Sequence, residues 1–190
     1  MIKLLALDLD GTVLDSQGRV PEANRLAIRA AEDAGVLVTI ATGRRFRDAR
    51  HVGQHLELNA PLVTHNGALL KFADSLETVE ASLLQTDIAL EIVRAGKKYG
   101  GDALVSADPH GNGTMIYDRV SHDNEPLQKY ILWAETMHGN EAEEAVHHVS
   151  SLEDALPDHQ VIHISFSGGC DAMAKLEALL RTELGDTITL

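Results

Sequence analysis

The sequence predicts an α/β protein in two parts: a parallel sheet built by crossover connections, then a segment of antiparallel pairs with segregated helices. Three observations predict it. Leu4-Leu5-Ala6-Leu7 is an unbroken apolar run that stops at Asp8-Leu9-Asp10-Gly11-Thr12, which reads as a strand buried on both faces and ended by a turn. Two further apolar runs, Val36–Ala41 and Pro61–Thr64, alternate with helix-like stretches and end in Thr42-Gly43-Arg44 and His65-Asn66-Gly67. From Ala68 onward that alternation gives way to short paired runs.

The elements follow in order. After the first strand, Pro21–Ala34 carries Leu26, Ile28, Ala30 and Ala31 among charges, with proline at its start and Gly35 just past its end, the asymmetry expected of a helix. Arg45–Leu56 reads as the second helix and Pro61–Thr64 as a third strand. Leu69–Phe72 and Thr78–Leu83, with Asp74-Ser75 between them, read as a hairpin. Next come a helix over about 86–99, a hairpin around His110-Gly111-Asn112-Gly113, a helix over about 125–138, a strand over Val161–Phe166 and a helix over about 171–184. The change of pattern places a domain boundary near Leu83–Gln85, giving a partial core of residues 1–83 and an α+β second domain of residues 84–190.

Composition narrows the function. The 190 residues, 44% of them hydrophobic, suffice for one core or a core and a modest second domain. A net charge of −13, from 16 basic and 29 acidic residues, argues against nucleic acid or an anionic membrane surface as partner. The single cysteine, Cys170, cannot close an internal disulfide, and the apolar start is too short to span a membrane, so a cytoplasmic address is expected.

The chemistry is concentrated at the strand ends. Asp8 and Asp10 place two carboxylates one residue apart at the carboxyl end of a strand, where open α/β sheets form their crevice. Like charges this close need a cation or a proton between them, so the pair suggests a metal and a nucleophile. Arg44, Arg45, Arg47 and Arg50 read first as the solvated face of a helix, although a basic run beside a site can also draw anions. His51 with His55, and His147 with His148, lack a third ligand at a recognised spacing and read as solvated. Cys170, after Gly168-Gly169, reads as a packed thiol. Gly111-Asn112-Gly113 lacks the Lys and Ser/Thr of a P-loop and reads as a hairpin turn.

Asp8-Leu9-Asp10-Gly11-Thr12 at the end of the first strand, with Thr42-Gly43-Arg44 after the second, resembles the haloacid dehalogenase superfamily of phosphotransferases in its phosphatase form. Asn66-Gly67 after the third strand, and the α/β segment beyond it, resemble the Cof-like branch, subclass IIB, with a C2-type cap. The resemblance implies a HAD-like Rossmannoid core, a cap, and hydrolysis of a small phosphorylated metabolite, with sugar phosphates foremost. It implies Asp8 as nucleophile, forming an aspartyl-phosphate, and Asp10 as general acid and then base. It implies Mg²⁺ held by the Asp8 side chain and the Asp10 carbonyl, and phosphate oxygens held by the Leu9 amide, the Thr42 hydroxyl and the Gly43 amide. Arg44 and Asn66 become candidate substrate contacts, while Thr12 shapes the turn.

The resemblance also implies a lysine and a Gly-Asp-x-x-x-Asp cluster further along, and neither is found in this sequence. Gly185-Asp186 with Thr187, Ile188, Thr189 and Leu190 reads as the start of another cap strand. The expectation is therefore a chain that stops before the core is complete. Its activity is lost or impaired, and its first strand forms an uncovered edge open to self-association. A non-catalytic phosphate-binding module and a phosphomutase stand as alternatives. A phosphoacceptor signalling domain ranks lower, because its acceptor does not sit in an Asp-x-Asp-Gly-Thr turn.

Overall fold

The computed structural model describes residues 2–185 and 187–189. They divide into two compact units: residues up to Ser82 together with Pro109–Asn112, and Leu83–Asp108 together with the residues from Gly113 onward.

In the first unit, β1 (Leu4–Leu7) pairs in parallel with β2 (Leu37–Ile40), Leu4 opposite Leu37 and Leu7 opposite Ile40. Helix α1 (Glu22–Asp33) connects them. It starts at Pro21, whose fixed φ suits a helix entry, and Gly35 follows its end at φ +82°, a backbone region that glycine enters without strain. Helix α2 (Phe46–Leu56) leads to β3 (Leu62–Thr64). β3 continues the parallel order through the Ala41–Val63 bridge and the Thr42 amide on the Val63 carbonyl at 2.9 Å. The predicted hairpin is present as β4 (Leu69–Lys71) and β5 (Thr78–Ala81), antiparallel to each other, with β4 antiparallel to β3. Leu9, Val38, Ile40, Phe46, Leu62 and Leu69 are almost wholly buried here.

The turn 109–112 belongs to this unit although it is distant in sequence. Lys71 is fully buried, donates from Nζ to the Pro109 and Gly111 carbonyls at 2.7 Å each, and lies 5.3 Å from the Phe46 ring centroid. Buried ammonium groups need such acceptors, and two carbonyls and an aromatic face supply them.

The first strand departs from expectation. Leu4 and Ala6 are exposed while Leu5 and Leu7 are half-buried, so β1 is not buried on both faces. Among the described residues it pairs only with β2, and none of them covers the face bearing Leu4 (57% exposed) and Leu37 (50%).

The second unit carries a four-stranded sheet. It contains α3 (Thr86–Lys98), β6 (Asp102–Ala107), β7 (Thr114–Tyr117), α4 (Glu125–His138), the short α5 (Ala142–Ala145), β8 (Val146–His148), the short α6 (Leu152–Ala155), β9 (Val161–Ser167) and α7 (Cys170–Leu184). The strand order is β8-β7-β6-β9, antiparallel except for the parallel pair β7–β8. Ala103, Val105, Ile116 and Val161 pack with Ala89 and Val93 of α3, while Leu104, Met115 and Val146 pack with Leu127, Ile131 and Ala134 of α4. The two apolar sets come from alternating positions on β6, the period-two rule of a strand between two layers.

Two expectations are corrected here. Thr187–Thr189 is not strand: the Thr187 and Ile188 amides both bond the Leu184 carbonyl, forming a turn at the end of α7. Asp186 and Leu190, in the same predicted stretch, lie outside the described residues. Cys170 is exposed rather than packed, because it is the first residue of α7 and follows two exposed glycines.

Candidate active site

The candidate residues of the first unit converge at the carboxyl ends of β1, β2 and β3. Beyond β1 the chain turns sharply. Gly11 sits at φ +76°, the Val13 amide returns to the Asp8 carbonyl at 3.3 Å and the Leu14 amide to the Leu9 carbonyl at 2.9 Å. Leu9, Val13 and Leu14 are buried, whereas Asp8, Asp10 and Thr12 are exposed. Apolar anchors thus alternate with reactive groups. The buried side chains fix the turn, and the two carboxylates are left at the surface.

The end of β2 lies beside this loop. Arg44 forms a two-pronged pair with Asp10, Nε to Oδ2 at 2.9 Å and Nη2 to Oδ1 at 2.5 Å. The hydrogen bonds from Arg44, reinforced by its charge, outweigh slight desolvation and hold the Asp10 carboxyl below the ordinary carboxylate range. Thr42 is buried and its hydroxyl accepts from the Arg44 amide at 3.2 Å, so the turn is braced from within. The end of β3 closes on the same turn: the His65 amide bonds the Arg44 carbonyl at 3.0 Å and the Asn66 amide the Thr42 carbonyl at 3.3 Å.

Asn66 takes a left-handed conformation at φ 55°, which asparagine tolerates better than most residues. Its carboxamide lies against Gly43, where a Cβ would come within 2.7 Å of Oδ1. Gly43→Ala is therefore expected to displace the Asn66 side chain. Because Asn66 is exposed and can swing aside, thermal unfolding should register less than about 1 kcal/mol. Anion binding measured by calorimetry should weaken much more. Equal phosphate affinity in the variant would remove Gly43 and Asn66 from the site.

The basic run on α2 is not a solvated face. Arg45 and Arg47 are buried, and Arg45 pairs with the buried Asp48, Nε to Oδ2 at 2.8 Å and Nη2 to Oδ1 at 2.9 Å. Arg50 donates to the Ala73 carbonyl and the Asn112 Oδ1, each at 2.8 Å. Asp48, three residues on from Arg45, is the signal in the sequence, since that spacing puts the two on one helical face. The histidines His51, His55, His147 and His148 are exposed.

Comparisons with known proteins identify the family. The sequence pattern of the haloacid dehalogenase-like hydrolases matches residues 5–189. The chain belongs to that family. It is 43% identical over 86 residues to the 5-amino-6-(5-phospho-D-ribitylamino)uracil phosphatase YcsE of Bacillus subtilis, covering 45% of this chain and 34% of that protein. It is 28% identical over 186 residues to the HMP-PP phosphatase of Klebsiella pneumoniae, covering 98% of this chain and 62% of that protein. The fold matches a haloacid dehalogenase-like hydrolase from Bacteroides thetaiotaomicron with a TM-score of 0.76 at 19% identity, over all of this chain and 66% of that one. It also matches the subclass IIB sugar phosphatase BT4131, TM-score 0.68 at 21% identity, over 93% of this chain and 62% of that one. The chain thus spans from about a third to under two thirds of the length of these curated relatives.

Proposed function

We propose that this chain carries the nucleophile half of a phosphomonoester hydrolase acting on a small phosphorylated metabolite, a sugar phosphate first among the candidates. The observation that carries the reading is the convergence of Asp8, Asp10, Thr42, Gly43 and Asn66 at three adjacent strand ends of one unit. The family, and the phosphatase names of its relatives, support it.

In this reading the exposed Asp8 carboxylate attacks phosphorus and the ester oxygen leaves, giving an aspartyl-phosphate that water later cleaves. Asp10 protonates the leaving oxygen and afterwards takes a proton from the attacking water. Its pairing with Arg44 sets an order of events, since Asp10 must be released from the guanidinium before it can carry a proton. Arg44, once released, is placed to meet substrate oxygens. The Leu9 and Gly43 amides and the Thr42 hydroxyl receive the phosphate oxygens.

The donors fit a hard cation in kind. Asp8 offers an exposed carboxylate and Asp10 a backbone carbonyl, the oxygen ligands Mg²⁺ prefers. Bound there, Mg²⁺ would offset the repulsion between carboxylate and phosphate. Among the described residues no group of three acidic, His or Cys side chains could hold a metal, and the Arg44 guanidinium paired with Asp10 sets a positive charge beside the two donors. Mg²⁺ affinity, which rises with ligand number and charge, should therefore be low. Calorimetry is expected to show weak, non-stoichiometric uptake; tight one-to-one binding would reveal a ligand outside this set.

The function is tested by offering a panel of phosphomonoesters with Mg²⁺ and following both released phosphate and phosphate retained on the protein. The Asp10–Arg44 pair favours one second reading, a phosphate-binding module in which Asp10 never carries a proton. Saturable phosphate binding with no transfer to Asp8 would select it. Self-association belongs to the same proposal. The uncovered β1 edge and the exposed Leu4–Leu37 pair form a pairing template. Leu4→Lys is expected to lower the mass seen by light scattering, and a monodisperse wild-type monomer would end that part of the reading.

A further inference from the structure

Both carboxylates of the candidate site sit on one loop, and what holds that loop is only partly local. Its inner edge is fastened by its own amides, Val13 to Asp8 and Leu14 to Leu9. Its outer edge presents two carbonyls, Thr12 and Val13, and both accept from the same atom: Asn24 Nδ2, at 3.2 and 3.1 Å. A carboxamide nitrogen carries two hydrogens, so both bonds form at once. Asn24 is itself fixed, standing in the first turn of α1 with its amide on the Pro21 carbonyl at 3.0 Å.

We propose that Asn24 is a positioning residue for the reactive loop, clamping its outer edge to α1 so that Asp8, the Leu9 amide and Asp10 keep one geometry. The proposal rests on the phosphoryl-transfer reading of that loop. The turn has a soft joint at Gly11 (φ +76°), where an added Cβ would meet nothing within 4 Å. Glycine, with no Cβ, restricts that joint least of all residues. Val13 and Leu14 hold their side chains in the core and Asp10 bridges Leu14, which fixes the inner edge and leaves the outer edge at Gly11–Thr12 to rotate. The two Asn24 bonds restrain that rotation. A side chain of the same shape without the hydrogens cannot replace it: in Asn24→Asp a carboxylate oxygen would face the two carbonyl oxygens, acceptor against acceptor. Displacement of a reacting group by about 1 Å costs on the order of a hundredfold in rate, so a clamp of this kind can matter far more to the site than to the fold.

The test compares wild type with Asn24→Asp and Asn24→Ala by amide hydrogen exchange and by binding of beryllium fluoride with Mg²⁺, a mimic of phosphate bound to Asp8. Exchange at Val13 and Leu14 is expected to quicken at least about tenfold in both variants while Val38 and Ile40 on β2 stay unchanged. Beryllium fluoride affinity should fall by a similar factor, and more in Asn24→Asp than in Asn24→Ala. Asn24→Gln, which keeps the NH₂ group on a longer arm, should recover part of both. Unchanged exchange at Val13 and Leu14 in both variants overturns the proposal. So does equal quickening at β2, which would make Asn24 a general support of the fold. If wild type takes up no beryllium fluoride even at Mg²⁺ concentrations that fill the weak site, the phosphatase reading fails, and the exchange data still decide whether Asn24 holds the loop.

Discussion

In a version extended to the length of its relatives, Asp8→Asn is expected to abolish transfer of phosphate to the protein, a loss of at least about 10⁴-fold, while leaving the fold intact. The size follows from chemistry: an amide oxygen carries no full charge with which to attack phosphorus, and nucleophile removal costs other enzymes on the order of 10⁴ to 10⁶. The intact fold follows from placement. Asp8 is exposed, and an exposed substitution of equal shape changes stability by no more than about 0.5 kcal/mol. The loop's fastening uses the Asp8 backbone carbonyl, accepting from Val13, and the backbone is untouched. The measurement is radiolabel from a phosphodonor retained on the protein and released by hydroxylamine, beside a thermal melt. Label retained by the variant would move the acceptor elsewhere. Asp10→Asn should behave differently. The Arg44 pair is lost, yet with Asp10 about 60% exposed the pair contributes little stability. Label should still form, more slowly, and then persist, because the group that activates water is gone.

The parts of this molecule legible in the sequence are those whose cause is local. Helix α4 spans the 125–138 expected of it, and its ends are set locally: Asn124 accepts from the Leu127 amide, Pro126 stands in the first turn, and Gly139 follows the last residue. β2 and β3 were legible from apolar runs cut off by polar turns. The positions of the candidate residues were legible for the same reason, since Asp8, Thr42 and Asn66 each lie within two residues of a strand's end. What was not legible depends on partners far away in sequence. β8 is three residues long, two of them histidine, and exists because its backbone pairs with β7. Burial of Lys71 depends on acceptors that no strand period reveals, the carbonyls of Pro109 and Gly111, some forty residues away in sequence. The exposed face of β1 was misread because an apolar run reports what a strand can bury, not what is there to cover it.

Replacing Asp102 should cost the second unit about 3 kcal/mol. Asp102 begins β6, is 1% exposed, and accepts four ways. The Ser121 amide and the Asn124 Nδ2 reach Oδ2 at 2.8 Å, the Ser121 hydroxyl reaches Oδ1 at 2.8 Å, and Arg119 Nε reaches Oδ1 at 3.3 Å. Asn124 in turn accepts from Ser167 of β9 at 2.9 Å and caps α4, so one carboxylate ties the sheet to a helix start. Burial alone would raise its pKa. The hydrogen bonds from Ser121 and Asn124, with the Arg119 charge, outweigh that and leave it below the ordinary value. A carboxyl depressed in the folded state stabilises fully above its unfolded value, about 4, and that contribution fades as pH falls through the lower folded value. Asp102→Asn keeps the shape but turns an NH₂ group toward donors, leaving buried groups unpaired at about 1–3 kcal/mol each. Arg119→Ala should cost under about 1 kcal/mol, because its side chain is about 45% exposed and water replaces the pair. Trp133, the only tryptophan and stacked on Tyr130 in α4, reports the urea unfolding of this unit by its fluorescence. Wild type should lose stability below about pH 4 relative to Asp102→Asn, which lacks this titration. An Asp102→Asn midpoint no lower than that of Arg119→Ala would mean that this carboxylate is tolerated in the core rather than holding α4 to the sheet.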